Sequence, residues 1–172
     1  MRVIESQNLC LEPQTVAHAE AMFVVLSDPA IYEHENQPPA SAAGLRERFM
    51  ALESRRSPDG HQQWLNWVIR LTSGELIGYV QSTVHPDGHA AIAYELHSAY
   101  WGRGLASQAV RAMIAELADH YDVVNLSAVL KAGNQRSFRL LERLGFSIAS
   151  PEAHARHQPE AGELLMERRR HG

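Results

Sequence analysis

Gly102 and Gly104 stand between a strand-like run that ends at Leu96 and a helical run from Ser107 to His120. Strand, glycine loop and helix make an arrangement that can seat a phosphate. A helix start leaves backbone N–H groups without acceptors and carries the positive end of the helix dipole, so a dianion can rest there without a basic side chain. Glycine adopts backbone angles that a side chain resists, and successive amides can then turn inward around the ligand. Taken alone, the pair reads equally as an ordinary strand-to-helix turn. No Gly-Lys-Ser/Thr follows, so a nucleotide P-loop is not expected.

Other reactive residue types carry less. Cys10 is the only cysteine, which rules out an intrachain disulfide, and a reducing cytoplasm is the expected compartment. No basic neighbour in the sequence would lower its pKa, so it reads as a packing residue. The ten histidines are scattered. His85 and His89 bracket the turn Pro86-Asp87-Gly88 with no third ligand nearby, so no metal is expected. Lysine and arginine total 16 against 20 acidic residues. The formal charge of −4 argues against nucleic acid as a partner and tolerates a cationic substrate. Met1 to Gln7 is too charged for a signal peptide, and no window suits a membrane span.

A chain of 172 residues that is 45% apolar is expected to form one domain over residues 1–172. Val3 to Leu11 reads as a first strand, with Leu9 and Leu11 on one face. Thr15 can cap a helix bearing Ala19, Met22, Phe23 and Leu26, which Ser27-Asp28-Pro29 ends. An irregular stretch follows, with Tyr32, Glu33, His34 and Glu35, and then a helix over Ser41 to Ser54. These could wall a substrate cleft or form a solvated helical hairpin. Leu65 to Leu71 and Glu75 to Val84 read as a hairpin closed by Thr72-Ser73-Gly74, and Trp64 and Trp67 read as packing residues. After the glycine loop, Ala109, Val110, Met113 and Leu117 form an apolar stripe that fits a helix laid on a sheet. Val123 to Leu130 is a strand, Asn134 to Leu144 a helix ended by Gly145, and Phe146 to Ala149 and Glu163 to Arg168 are closing strands. Pro151 to Gly162 between them reads as a loop.

Three motifs then converge with this order of elements: Tyr100-Trp101-Gly102-Arg103-Gly104-Leu105-Ala106, Asn134-Gln135-Arg136-Ser137 and Leu141-Glu142-Arg143-Leu144-Gly145-Phe146. Together they resemble the GNAT superfamily of N-acetyltransferases. Leu26-Ser27-Asp28-Pro29 and the Trp67-to-Gly78 hairpin resemble its RimJ/RimL-like branch, and the likeness spans about residues 8 to 168. It implies an α/β (α+β) fold: a mixed, mostly antiparallel, splayed sheet flanked by helices on both faces. It also implies acetyl-CoA as cosubstrate, with the pyrophosphate on Trp101, Gly102, Arg103, Gly104, Leu105, Ala106 and Ser107. The pantetheine would pair with backbone at Leu96, His97 and Ser98, beside Asn134 and Ser137. Two positions depart from the family pattern. Trp101 replaces the usual Gln or Arg that opens the loop, and Leu141 stands where a tyrosine acid is frequent.

The implied chemistry is attack of an amine on a thioester. An alkylamine with a pKa near ~10 is mostly protonated at neutral pH, so a base or a water chain must take that proton. The resemblance makes the Leu96 N–H the oxyanion donor and Ser137 a group that can donate to or hold the sulfur. Glu95 is the nearest carboxylate, although strand alternation points it away from Leu96, and it reads as base or as solvated carboxylate. Glu33, His34, Glu35 and His97 are further candidates for the base. The acceptor is a primary amine, on a protein N-terminus or a small molecule, and the protein is a monomer or homodimer. The other reading is a non-catalytic acyl-CoA-binding or regulatory module of the same fold.

Overall fold

The computed structural model describes residues 1–34 and 36–169, so the wall-loop candidate Glu35 lies outside the described residues. Among the described residues eight strands form one sheet in the order β1-β2-β3-β4-β5-β6-β8-β7. They are β1 (Ile4–Glu5), β2 (Leu9–Pro13), β3 (Gln63–Leu71), β4 (Leu76–Val84), β5 (His89–Leu96), β6 (Asn125–Lys131), β7 (Ser147–Ile148) and β8 (Glu163–Arg169). Every neighbouring pair is antiparallel except β5 and β6. Five α-helices accompany them: α1 (Ala19–Leu26), α2 (Ala42–Leu52), α3 (Leu105–His120), α4 (Gln135–Arg143) and α5 (Pro151–His157).

The helices lie on both faces. Leu105, Ala109, Val110, Met113 and Leu117 of α3 pack with Trp67, Ile69, Val80, Ile92 and Leu96 of the sheet. On the opposite face Ala19, Met22 and Leu26 of α1 join Leu45 and Phe49 of α2 over Val68. This division follows from strand alternation, since Trp67 and Val68 are both fully buried yet point to opposite faces. Each large apolar side chain so buried is worth about 1.5–3 kcal/mol relative to exposure. Trp64 is only partly buried and donates its indole N–H to Gln62.

Two elements differ from the sequence reading. The first strand is a short hairpin, β1 and β2, because the polar run Ser6-Gln7-Asn8 turns the chain and Ser6 N–H donates to Leu9 O at 2.9 Å. The stretch Pro151 to Gly162 holds α5, whose Ser150 side chain accepts from the Ala153 N–H at 3.2 Å with Pro151 opening the helix. Cys10 is part-buried. Burial raises its pKa, neighbouring Glu12 and Glu5 add to this, and Arg70 offsets them only in part, so the thiol is a poor nucleophile.

Candidate active site

The site grows from the one parallel pair in the sheet. β5 and β6 pair only at His89–Asn125, Ala90–Leu126 and Ala91–Ser127, and beyond Ala91 they diverge. His97 N–H donates to Ile77 O on β4 at 2.9 Å, so the odd-numbered residues of β5 bond toward β4. The backbone groups of Ile92, Tyr94 and Leu96 therefore face the gap that the missing β6 pairing leaves. An extended ligand rich in amides can pair there as an added strand would.

The three residues expected at the pantetheine edge differ in their backbone bonds. His97 N–H is taken by Ile77 and its carbonyl by Tyr100 N–H, while Ser98 donates to Asp28 Oδ2 at 2.7 Å and accepts from Trp101 N–H. Of Leu96, His97 and Ser98, only Leu96 turns backbone into the gap, and its carbonyl accepts the Trp101 indole N–H at 2.9 Å. The Leu96 N–H faces the gap.

At the mouth of the gap Gly102 and Gly104 have φ of 72° and 76°, the left-handed region that favours glycine, and a Cβ at either would meet nothing within 4 Å. The first i−4 bond of α3 runs from Gln108 N–H to Gly104 O, leaving the amides of Leu105, Ala106 and Ser107 outside the helical ladder. Arg103 is exposed beside the Tyr100 ring. Leu105 is 6% exposed and belongs to the core, so only its backbone can meet a ligand. The Arg136 guanidinium, which sequence reasoning did not single out, stacks 3.5 Å from the Trp101 ring centre and puts a cation beside the loop. The Asn134-Gln135-Arg136-Ser137 motif contained it, but only the fold brings it to residue 101.

Across the gap Asn134 caps α4, its Oδ1 accepting the Ser137 N–H at 3.1 Å. The amide nitrogen of Asn134 is then what it can offer a ligand. Ser137 Oγ lies 2.6 Å from the Tyr94 hydroxyl. Tyr94 was missed because nothing local marks it. Its one signal is its parity with Leu96, two residues on along the same strand. Burial pushes its pKa up to about 12, with the Ser137 hydrogen bond offsetting part of the rise.

Glu95 projects to the other face, opposite Tyr79 in the register. Tyr32 stands on that side, its hydroxyl donating to Leu26 O at 2.6 Å, its pKa raised first by burial and then by the Glu95 charge. Glu33 is exposed and 4.0 Å from His34. His34 lies against the β6–α4 turn, 3.8 Å from where a Cβ on Gly133 would stand, so the wall loop reaches over the gap. Its base is Asp28, whose Oδ1 accepts from Ala30 N–H at 3.1 Å while Oδ2 accepts from Ser98 and lies 3.6 Å from His97. Burial opposes the ionised form of Asp28, but the Ser98 and Ala30 hydrogen bonds and His97 outweigh it and hold its pKa below the usual value.

One cavity of about 540 Å³ joins these parts. Its wall runs from Gln14, Asn66, Tyr79 and Gln81 on the α1–α2 side, through Glu95, Tyr94 and Leu96, to Trp101, Ala106, Asn134 and Ser137 on the α3–α4 side. The size is that of a small-molecule site. His97, Ser98, Gly102, Arg103, Gly104, Leu105 and Ser107 lie outside that wall. Among the described residues no group of three or more His, Cys, Asp or Glu could hold a metal ion, and no helix is long and apolar enough to cross a membrane.

Comparison with known proteins adds four findings. Residues 8–147 match the family model described as an acetyltransferase (GNAT) domain. A curated relative, the uncharacterized N-acetyltransferase p20 of Bacillus licheniformis, is 24% identical over 148 residues, covering 85% of this chain and 83% of that protein. Among solved structures, RimL, a ribosomal L7/L12 alpha-N-protein acetyltransferase in complex with coenzyme A, superposes with a TM-score of 0.79 at 19% identity over 97% of both chains. The aminoglycoside acetyltransferase AAC(6')-Ib, also with coenzyme A, gives 0.74 at 22% identity over 94% of this chain and 95% of that one.

Proposed function

The chain belongs to the GNAT acetyltransferase family and is an N-acetyltransferase, and we propose that it transfers the acetyl group of acetyl-CoA to a primary amine by direct attack in a ternary complex. The observation that carries this reading is the cavity that passes through the sheet at the β5–β6 gap. Its wall carries residues from both faces of the sheet, with Leu96 between them, which supports a thioester on one side and an amine on the other.

Acetyl-CoA fits the α3 side. The open glycines and the Leu105–Ser107 amides would hold its pyrophosphate, Arg136 would add a cation, and the gap-facing backbone of Tyr94 and Leu96 would pair with the pantetheine. The amine enters from the α1–α2 side, where Glu95 is the carboxylate in the wall. Glu95 takes the ammonium proton, directly or through water, and the freed lone pair attacks the carbonyl carbon. The Leu96 N–H meets the oxyanion; a well-placed donor of this kind is worth about 2.7–4 kcal/mol in the transition state. The tetrahedral nitrogen then gives its second proton to water, the C–S bond breaks and the electron pair leaves on the CoA sulfur, beside Ser137.

The acceptor on this reading is a protein N-terminus or a small-molecule amine; the similarity to RimL, named for a protein α-amine, and to an aminoglycoside acetyltransferase supports both classes. The test is acetyl-CoA-dependent release of free thiol across a panel of N-terminal peptides, polyamines and aminoglycosides, with mass-spectrometric mapping of the acetylated nitrogen. Turnover is expected on at least one class. Acetyl-CoA binding without turnover on any amine would refute it in favour of a binding module.

A further inference from the structure

Leu141, at the family's frequent tyrosine position, is 1% exposed and packed in the core, so α4 brings no phenol to the leaving group. A phenol nevertheless reaches the same gap from the opposite strand. We propose that Tyr94 holds the Ser137 hydroxyl so that its proton points at the departing CoA sulfur, Ser137 being the group that touches the sulfur and Tyr94 the residue that positions it. This rests on the acetyltransferase reading above.

The geometry constrains Ser137 on both of its polar groups. Its N–H is fixed to Asn134 Oδ1 at 3.1 Å, which locks the first turn of α4, and its Oγ stands 2.6 Å from the Tyr94 oxygen. Either hydroxyl can be the donor in this pair, and the proposed arrangement is the one in which Tyr94 donates and Ser137 accepts. The serine proton then has to find another acceptor, and Ser137 lines the cavity. The phenol's alternative acceptor, Ser137 O, lies 3.5 Å away, at the limit of a hydrogen bond. The charged groups acting on Tyr94 are Glu95 and Arg143, of opposite sign and opposite effect on the phenol.

Tyr94 does not itself supply the proton. With a pKa pushed up to about 12, the phenol lies roughly three to four pH units above an ordinary thiol. Passing its proton to a thiolate is thus uphill. The balance is simpler: the N–C bond forms, the C–S bond breaks, the ammonium gives up two protons, the first to Glu95 or water before attack and the second to water from the tetrahedral nitrogen, and the sulfur leaves as a thiolate that accepts a hydrogen bond from Ser137. Tyr94 stays neutral throughout and serves as a fixed donor.

The test needs no knowledge of the amine. CoA bound to the whole protein is titrated by the ultraviolet absorbance of its thiolate, in the wild type, Tyr94→Phe, Ser137→Ala and the double variant, with acetyl transfer measured on whichever amine turns over. The expected result is a bound-thiol pKa raised by about one unit in Tyr94→Phe and in Ser137→Ala, the same loss in the double variant as in Ser137→Ala alone, and kcat lowered about tenfold with the KM for acetyl-CoA held. Full additivity of the two changes, or a thiol pKa and kcat unchanged in Tyr94→Phe, overturns the proposal. If Tyr94→Phe does not fold, Ser137→Ala decides by the same titration: an unshifted thiol sinks the proposal. A wild type that binds no CoA refutes the acetyltransferase reading and this inference together. A wild type that acetylates while Tyr94→Phe matches it refutes this inference alone.

Discussion

Gly78→Ala should damage both stability and turnover, and for a reason confined to one crossing of the sheet. Gly78 lies opposite Leu96, between β4 and β5. Because His97 bonds to Ile77, the Gly78–Leu96 pair is a non-hydrogen-bonded one, in which antiparallel strands bring their Cα atoms closest. A Cβ on Gly78 would stand 2.9 Å from Leu96 Cα, and closer still to the Glu95 carbonyl oxygen. Carbon atoms prefer about 3.5–4.0 Å, so the Leu96 contact alone asks β5 to retreat by roughly 0.6–1 Å, and the nearer carbonyl oxygen asks for more. Both obstacles are backbone, which cannot swing aside, and overpacking of this kind costs about 3 kcal/mol or more. For a chain of this length that is a fall of about 6–12 °C in Tm. The retreat also moves the Leu96 N–H and Glu95, and a displacement near 1 Å at a reacting centre costs about a hundredfold in rate. The assay pairs thermal melting with kcat/KM of the folded protein, and Gly104→Ala is its control. Gly104 has a left-handed φ of 76° but open space around it, so its variant should fold with a loss of only about 1 kcal/mol and show its effect in the KM for acetyl-CoA. A Gly78→Ala protein with unchanged Tm and unchanged kcat/KM would refute the placement of β4 against β5 at Leu96.

Arg136→Ala should raise the KM for acetyl-CoA several-fold with little change in kcat, and the difference from wild type should shrink at high salt; equal KM values would remove this cation from the phosphate seat. Asp28 is held below its usual value near 3.8, so its contribution to stability is full above that value and is lost as pH falls through the depressed folded value. Melting curves across acid pH should therefore fall more steeply for wild type than for Asp28→Asn, and parallel curves would count against the loop anchor. Glu95→Gln should slow acetylation of an alkylamine by about 10²–10⁴-fold at neutral pH and recover as pH approaches ~10, where the amine is neutral unaided. A loss that is the same at every pH would make Glu95 a binding group and not the base.

Much of the fold was legible because its elements carry their own periodicity. The α3 stripe, the Gly102–Gly104 loop and the β3–β4 hairpin stand where sequence spacing places them. The first hairpin and α5 were misread although local signals existed: three polar residues in a row at Ser6, and a Ser150-Pro151 helix start. The site was less legible. That His97 and Ser98 are committed to β4 and to Asp28, 70 residues away in sequence, depends on a contact no local pattern encodes. Arg136 against Trp101 and Tyr94 against Ser137 are likewise contacts across a gap, and they exist only because β5 and β6 part company after Ala91.

The same parting explains how one strand can serve two halves of the reaction. Along β5 the side chains alternate, so Tyr94 and Leu96 point to the α3 face while Glu95, between them, points to the face walled by α1 and α2. The residue proposed to steady the leaving group and the residue proposed to deprotonate the nucleophile are thus sequence neighbours separated by the thickness of a sheet. A thioester and an ammonium held on one face would compete for the same polar groups. On the proposed reading they are held on opposite faces and meet through the gap beside the Leu96 N–H. A phenol on α4, where the family pattern has it, would serve the sulfur from the far wall of the gap; placed on β5, it is tied to the strand that also carries Glu95. A shift of that strand by one residue would exchange the faces of Tyr94 and Glu95 together, so the positions of the two groups are set by one register and not by two independent loops.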